Sequence, residues 1–156
     1  FGSVLESSFS RALSLGAFFG TGRSIARNLS TPVLGNATDL ELWGTLRPHS
    51  QLSISPSFRY SQLHHPDGGP EIFSGYILRT RADLQFSREF FLRMVVQYND
   101  FGQTLDLEPL LTYKVNPFTL FYVGSTQAFR DYDQEDAGLT STSRQYFAKV
   151  QYQLRY

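Results

Sequence analysis

The 156-residue chain contains no cysteine, and its 14 Lys and Arg residues balance 14 Asp and Glu residues to a formal net charge of zero. Without cysteine the chain forms no disulfide and offers no thiolate to a metal or a substrate. Nucleic-acid binders normally carry a basic excess, so the charge balance argues against nucleic acid as a partner. No segment approaches the roughly 18 consecutive apolar residues of a transmembrane helix.

Aromatic residues are abundant, since the chain holds 14 Phe and 9 Tyr, yet only 41% of its residues are hydrophobic. Amphipathic β-strands reconcile these two values. In such a strand every second residue is apolar, and the chain as a whole remains polar on average.

Alternation with a period of two residues is the clearest pattern. In residues 146–156 one side reads Tyr146, Ala148, Val150, Tyr152, Leu154 and Tyr156, and the other reads Phe147, Lys149, Gln151, Gln153 and Arg155. A helix would need apolar residues three or four positions apart. The same period predicts strands at 52–60, 76–86, 90–98 and 105–115. It is weaker at 118–128, where Phe118, Leu120 and Tyr122 are assigned to the apolar side.

Shorter strands are predicted at 1–9, 13–19 and 40–46, which brings the count to about nine and makes the fold class all-β. Tight turns are expected at 47–50, 87–89 and 116–117, where Pro and Asn favour turn geometry. Longer connections are expected at 20–38, 62–71 and 130–143, with 99–103 the shortest of this set. Short turns at one end and longer loops at the other are typical of outer-membrane barrels. The chain is therefore predicted to form part of an antiparallel up-and-down transmembrane β-barrel, with short periplasmic turns and longer external loops.

Three features favour an apolar face that points outward to lipid. The predicted apolar faces carry no charge, as a lipid-facing surface requires. Aromatic side chains gather at the ends of these faces, where membrane interfaces place them. They are Tyr60, Phe90, Tyr98, Tyr113, Phe118, Tyr146 and Tyr156. The last strand also stops on an aromatic residue. The alternative is a soluble β-barrel that encloses its apolar face and binds an apolar ligand.

The strand count bears on completeness. Nine strands whose first begins at the loop side depart from the even number, with both termini on the turn side, of bacterial single-chain barrels. We therefore expect residues 1–156 to be the C-terminal part of one larger barrel domain. Other chains that complete the barrel are the alternative. The first residue is Phe, which indicates a removed leader or a piece of a longer chain.

The final strand resembles the C-terminal assembly signal of Gram-negative outer-membrane proteins at Ala148, Val150, Tyr152, Leu154 and Tyr156. Residues 90–99 resemble the FLR-x-x-x-QYN strand of a more specific group, 117–123 resemble its P-x-x-LF-x-V strand, and 144–156 resemble its closing strand. That group is a family of uncharacterised bacterial outer-membrane barrels that follow a family-9-like carbohydrate-binding domain. The resemblance spans residues 38–156 and is strongest after Ser87. Residues 1–37 match only as generic barrel strands, and Val123-Gly124-Ser125 departs from the family's usual VYN.

This resemblance implies an outer-membrane location in a Gram-negative bacterium. It implies outer-membrane lipid, lipopolysaccharide and the barrel assembly machinery as partners. The barrel prediction favours a structural or transport role, which the resemblance links to saccharide handling through an upstream domain that this chain does not contain. No cofactor and no reaction follow from it, so the chain is not expected to be an enzyme, although the full-length protein is left open on this point.

The polar sides of the strands are expected to line the lumen with a charged network. Its members are Arg59, Arg79, Arg81, Asp83, Arg93, Asp106, Glu108, Lys114, Lys149 and Arg155. A turn at 87–89 would place Asp83 opposite Arg93, and the next hairpin would bring Arg93 near Glu108 or Asp106. The network either tiles the barrel interior with mixed charge or forms a solute path or plug-docking surface in which arginines attract anions.

Two groups of potential metal ligands are interpreted as polar loops. Residues 131–136 begin like a calcium loop, but the sixth position is Asp136 and the twelfth is Thr142, where Gly and Glu are required. Calcium, or a metal that bridges lipopolysaccharide, is the alternative there. His64, His65, Asp67 and Glu71 share another loop, and adjacent histidines in an extended segment point to opposite sides.

The remaining motifs give no positive sign of catalysis. The glycine-rich residues 20–24 lack the spacing and the lysine of a phosphate-binding loop. The chain has no GxSxG motif, and its third histidine, His49, lies in a predicted tight turn. A membrane-embedded hydrolase stays open as an alternative without support from any motif. Trp43 is interpreted as an aromatic residue that packs at the rim or in the lumen.

Overall fold

A computed structural model describes residues 1–26, 32–66, 69–131 and 138–154. Within these ranges nine strands form one antiparallel sheet in which each strand pairs with the next in sequence. The strands are β1 (Gly2–Ser8), β2 (Leu13–Ala26), β3 (Val33–His49), β4 (Leu52–His64), β5 (Glu71–Gln85), β6 (Phe90–Asn99), β7 (Thr104–Asn116), β8 (Thr119–Asp131) and β9 (Leu139–Tyr152). The predicted all-β, up-and-down arrangement of nine strands is confirmed.

The connections alternate between the two ends of the sheet. Segments 9–12, 50–51, 86–89 and 117–118 join strands at one end, which we name the turn end. At the opposite end of the sheet, which we name the loop end, consecutive strands are joined by residues 27–32, 65–70, 100–103 and 132–138. The turn-end segments are the shorter set, as predicted, and β1 runs from the loop end to the turn end.

The strands extend further into the loop-end connections than expected. Residues 20–38 were predicted to form one long connection, but β2 continues to Ala26 and β3 begins at Val33. The two strands stay in register from Gly20 opposite Asp39 to Ala26 opposite Val33. Backbone pairing needs no alternation of apolar side chains, so a Gly- and Ser-rich sequence can continue a ladder.

The sheet does not close on itself. Strands β1 and β9 are its two edges, and each pairs with a single neighbour, β2 and β8 respectively. Each edge therefore presents unpaired backbone donors and acceptors along one side. The structure shows an open nine-stranded sheet and not a closed barrel.

Register divides the side chains between two faces, because residues directly opposite each other in a pleated sheet point to the same side. Asp83 lies opposite Arg93, and we name their side the polar face. Tyr76 lies opposite Tyr60, and we name their side the apolar face. The apolar sets predicted for residues 52–60, 76–86, 90–98, 105–115 and 146–152 all lie on the apolar face.

Strand β8 corrects one prediction. Phe121 lies opposite Tyr113 and Val123 lies opposite Leu111, so these two side chains belong to the apolar face. Tyr122 lies opposite Lys149, on the polar face together with Leu120. Both parities of this strand hold bulky apolar or aromatic residues, so alternation alone could not distinguish its two sides.

The sheet has very little core. Among the described residues the buried hydrophobic side chains are Ala26, Leu63 and Val95. Large side chains of the apolar face stay exposed instead, with Leu5 at 72% and Tyr152 at 64% of their full accessibility. In the described structure no second layer covers this face, which therefore forms a large exposed apolar surface.

Candidate functional site on the two faces of the sheet

A band of aromatic rings crosses the apolar face near the loop end. Tyr60 in β4 lies opposite Tyr76 in β5. The ring of Tyr76 stands 5.7 Å from that of Phe58 and 5.8 Å from that of Tyr98 in β6. The Tyr98 hydroxyl donates a hydrogen bond to Gln103 Oε1 in the adjoining loop, at 2.9 Å. These rings therefore combine apolar edges with a polar end, as side chains at a membrane interface do.

A second band lies on the same face near the turn end. The ring of Phe90 is 5.6 Å from that of Phe86 and 6.3 Å from that of Tyr113 in β7. Eight residues separate Phe90 from Tyr98 on β6, which corresponds to about 27 Å along an extended strand. A tilt of about 40° would reduce this to about 20 Å, which is comparable with the roughly 25 Å apolar band of outer-membrane barrels.

Between the two bands the apolar face carries aliphatic and small side chains, such as Leu78, Ala82, Leu92, Met94 and Val96 on β5 and β6. The charged residues that share this face within the described strands lie in the loop-end half of their strands. They are Arg23, Glu71, Asp131 and Arg144. A hollow of about 480 Å³ lies on this face above small residues of β2, β3 and β4.

Ion pairs between described residues lie on the polar face. Arg59 Nη2 lies 2.7 Å from Glu41 Oε1. Asp83 is shared, with Oδ2 at 2.6 Å from Arg81 Nε and Oδ1 at 3.0 Å from Arg93 Nε. The predicted placement of Asp83 opposite Arg93 is confirmed. Across the next hairpin Arg93 lies directly opposite Leu110, and Glu108 lies two residues further along the same face, where it lines a hollow together with Arg93.

The other predicted members of the network lie on the polar face by register. Pairing with β6 assigns Asp106 and Glu108 to this face, and pairing with β8 assigns Lys114 and Lys149 to it. None of these four side chains forms an ion pair within the described ranges. Arg155 lies outside the described residues, as does Tyr156.

Three glycines on the polar face lie under large aromatic rings. A Cβ built on Gly16 would be 2.3 Å from Trp43 of the opposite strand, and one on Gly124 would be 2.6 Å from Phe147. One on Gly75 would be 2.7 Å from Phe101 of the β6–β7 loop. Small residues on one side of a sheet allow it to curve towards that side, and a ring laid across a glycine restores the packing that the glycine lacks. Alternation does not predict these pairs, and Phe147, an aromatic residue on the otherwise polar side of β9, is their one visible sign in the sequence.

The predicted polar loop after β4 shows hydrogen bonds between side chains. Glu71 accepts a hydrogen bond from the Ser74 hydroxyl at 2.5 Å and one from Gln62 Nε2 at 3.0 Å. The hydrogen bond from Ser74 has the largest effect on Glu71 and lowers its pKa below the ordinary value. The bond from Gln62 and the nearby His64 lower this pKa further. Asp67 and residues 132–137 lie outside the described ranges. Within those ranges no group of three or more His, Asp or Glu side chains could hold a metal ion.

The predicted assembly signal lies on an edge of the sheet. Ala148, Val150 and Tyr152 are on the apolar face of β9, opposite Val123, Phe121 and Thr119. Val150 is 60% exposed, and Leu154, just beyond the strand, is 66% exposed. This strand therefore combines an exposed apolar side with a free backbone edge.

No family model and no curated protein matches the chain. Among the described residues, no helix is long and apolar enough to cross a membrane.

Proposed function

We propose that the chain forms part of the wall of an outer-membrane β-barrel, with its apolar face against lipid and its polar face towards the interior. The observation that carries this proposal is the pair of aromatic bands on one face of the sheet, with aliphatic side chains between Tyr98 and Phe90. A bilayer has this profile, with two amphipathic interfaces around a hydrocarbon core. The role is structural or transport.

The distribution of charge supports the same orientation. A cation near the bilayer midplane costs about 2–4 kcal/mol and much less near an interface. Arg81, Asp83 and Arg93 lie at the same level as Ala82 and Met94, but they point to the opposite side of the sheet. If the apolar face points outward, the ion network is kept away from lipid, and the apolar side chains contact the lipid.

The expected curvature of the sheet supports the same orientation of its two faces. Trp43 over Gly16 and Phe147 over Gly124 mark the polar face as the one with small residues beneath large rings. A sheet bends towards its less crowded side, so the polar face would become the inner wall.

A complete wall needs partners for both edges of the sheet, since lipid cannot hydrogen-bond an open edge. Strands from the rest of the polypeptide, or from other chains, would pair with β1 and β9. Outer-membrane lipid, lipopolysaccharide and the barrel assembly machinery are the partners that such a protein requires. The link to saccharide handling rests on the sequence resemblance of residues 38–156 alone.

The experiment uses the absence of cysteine, which makes any introduced thiol unique. Ile77 and Leu78 are adjacent aliphatic residues of β5 on opposite faces, since Ile77 lies opposite Arg59 and Leu78 lies opposite Phe58. Each is replaced by cysteine in the full chain and spin-labelled in outer-membrane vesicles. Collision rates are then measured with oxygen, which concentrates in lipid, and with a water-soluble nickel complex.

The proposal expects the Leu78→Cys label to collide mainly with oxygen and the Ile77→Cys label mainly with the nickel complex. The opposite pattern would mean that the polar face meets lipid and would overturn the proposal. Nickel access at both positions, in protein that stays soluble without detergent, would instead support a soluble β-sheet protein.

A further inference from the structure

We propose that Arg79, together with Arg81 and Arg93, forms a binding site for small oxyanions on the polar face. The inference rests on the proposed function, because that function makes the polar face the lining of a solute-accessible interior. It adds the class of solute, namely molecules with a carboxylate, phosphate or sulfate group.

The first observation is an excess of guanidinium groups. Among the described residues, Asp83 is the one carboxylate that forms ion pairs with Arg81 and Arg93. Its two oxygens contact one Nε each, and Arg81 Nη2 forms a further bond to Oδ1 at 3.1 Å. One carboxylate therefore pairs with two guanidinium groups and neutralises only one of their two positive charges. N–H donors of Arg93 remain available for another acceptor.

The second observation concerns the neighbours of Arg79. Its cross-strand partners are Ser57 in β4 and Gln97 in β6, so no carboxylate opposes it in either adjacent strand. Within the described residues its side chain forms no ion pair. The two residues directly opposite Arg79 are thus neutral hydrogen-bonding groups.

The third observation is space for a ligand. Arg79 lines a hollow of about 240 Å³ together with Arg81, Arg93 and Glu108. It also lines a neighbouring hollow of about 410 Å³ with Arg59 and Glu41. Across the linings of the two hollows four arginines accompany two carboxylates, Glu41 and Glu108. The arginines still outnumber the carboxylates by one when Asp83, which binds Arg81 and Arg93 beside the smaller hollow, is included.

The planar guanidinium fork determines the class of ligand. It presents paired N–H donors at the spacing of two oxygens in a carboxylate, phosphate or sulfate group. Hollows of 240 and 410 Å³ fit such a group or a small molecule that carries one. We therefore assign small oxyanions, and not a polyanionic polymer, to this site.

Trp43, the only tryptophan of the chain, lines the larger hollow with Arg79 and reports on it. Its fluorescence in the detergent-extracted full chain is quenched with iodide, caesium ion or neutral acrylamide at constant ionic strength. Inorganic phosphate is then titrated against iodide. The site predicts stronger quenching by iodide than by caesium, and saturable protection by phosphate.

Arg79→Gln should lower the iodide quenching constant about twofold, as expected for loss of one nearby unit charge, and should abolish the phosphate protection. Acrylamide quenching should be unchanged, which shows that the hollow keeps its shape. Lys114→Gln is the matched control, since it removes one positive charge from the same face outside both hollows. Arg79→Lys keeps the charge and should retain iodide quenching while weakening the phosphate protection.

Equal quenching by iodide and caesium, or no protection by phosphate, would overturn the anion site. An equal effect of Lys114→Gln and Arg79→Gln would also overturn it, because it would show a general field and not a site. The spin-label pattern at positions 77 and 78 is measured independently, so failure of this inference and failure of the proposed function are distinguishable.

Discussion

The indole of Trp43 in β3 lies over Gly16 in β2, in a directly opposed pair. The contact is so close that a Cβ at position 16 would be 2.3 Å from indole Cε2. The absence of a side chain at Gly16 is therefore what lets the ring lie against the backbone. The pair fills the polar face beside Arg59 and Arg79 without adding a charge.

Gly16→Ala should destabilise the protein by about 1–3 kcal/mol, because a methyl group in a filled space forces the ring to move. Gly22→Ala is the matched control, since Gly22 lies in the same strand and a Cβ there meets nothing within 4 Å. The control should stay within about 0.5 kcal/mol of the parent. Urea unfolding in detergent gives both free energies of unfolding, and the near-ultraviolet circular dichroism of Trp43 follows the ring. Equal effects of the two variants would contradict the packing argument.

The shared carboxylate of Asp83 permits a double-mutant cycle. Asp83 is 36% exposed and Arg93 is 47% exposed, so solvent screens their interaction. Comparison of Asp83→Asn, Arg93→Gln and the double variant should give a coupling free energy of about 0.2–1 kcal/mol, which shrinks in high salt. Glu108→Gln, on the same face and without an ion pair in the described structure, should couple to Arg93→Gln more weakly than Asp83→Asn does. A coupling of zero for the Asp83 pair would contradict the observed geometry.

The register at Asp83 and Arg93 was predictable because a three-residue turn at 87–89 fixes the pairing of the strands that flank it. Alternation likewise assigned the faces of β4 to β7 and of β9, since each of these strands has one clearly apolar side. In these strands local sequence and sheet geometry agree.

Prediction was wrong where the deciding contact is not local. In β8 both sides are bulky, and only pairing with Tyr113 and Lys149 assigns Phe121 and Tyr122 to opposite faces. The outer part of β2 lacks alternation, so its continuation to Ala26 depends on backbone bonds to β3. The ring of Phe101 over Gly75 joins a loop to a strand and leaves no periodic signal.

Glu71 should titrate below the ordinary pKa of a glutamate. Because the folded-state pKa is lowered, the charged carboxylate stabilises the loop end of β4 and β5 above the ordinary value, and this contribution is lost as the pH falls through the lowered value. Ser74→Ala removes the principal hydrogen bond and should move the pKa back up. Carbon-13 NMR of labelled glutamates in micelles measures both values. Gln62→Ala should give a smaller shift in the same direction, and an unchanged pKa in Ser74→Ala would contradict the assignment.

The sharpest mutational test of orientation places a charge midway between the aromatic bands. Met94 lies four residues from both Phe90 and Tyr98 on β6, on the apolar face opposite Ala82. Under the proposed function Met94→Arg exposes a guanidinium near the bilayer midplane, at a cost of about 2–4 kcal/mol. The variant should therefore be depleted from the outer membrane. The protein that does reach the membrane should no longer show the shift in gel mobility on heating that marks a folded barrel.

Ser53→Arg is the matched control, since Ser53 lies on the polar face directly opposite Asp83. The same guanidinium meets a carboxylate there and not lipid, so this variant should accumulate and shift on heating like the parent. Depletion of Ser53→Arg with normal accumulation of Met94→Arg would reverse the assignment of the faces. The difference between the two variants isolates orientation, because each adds one positive charge to the same sheet.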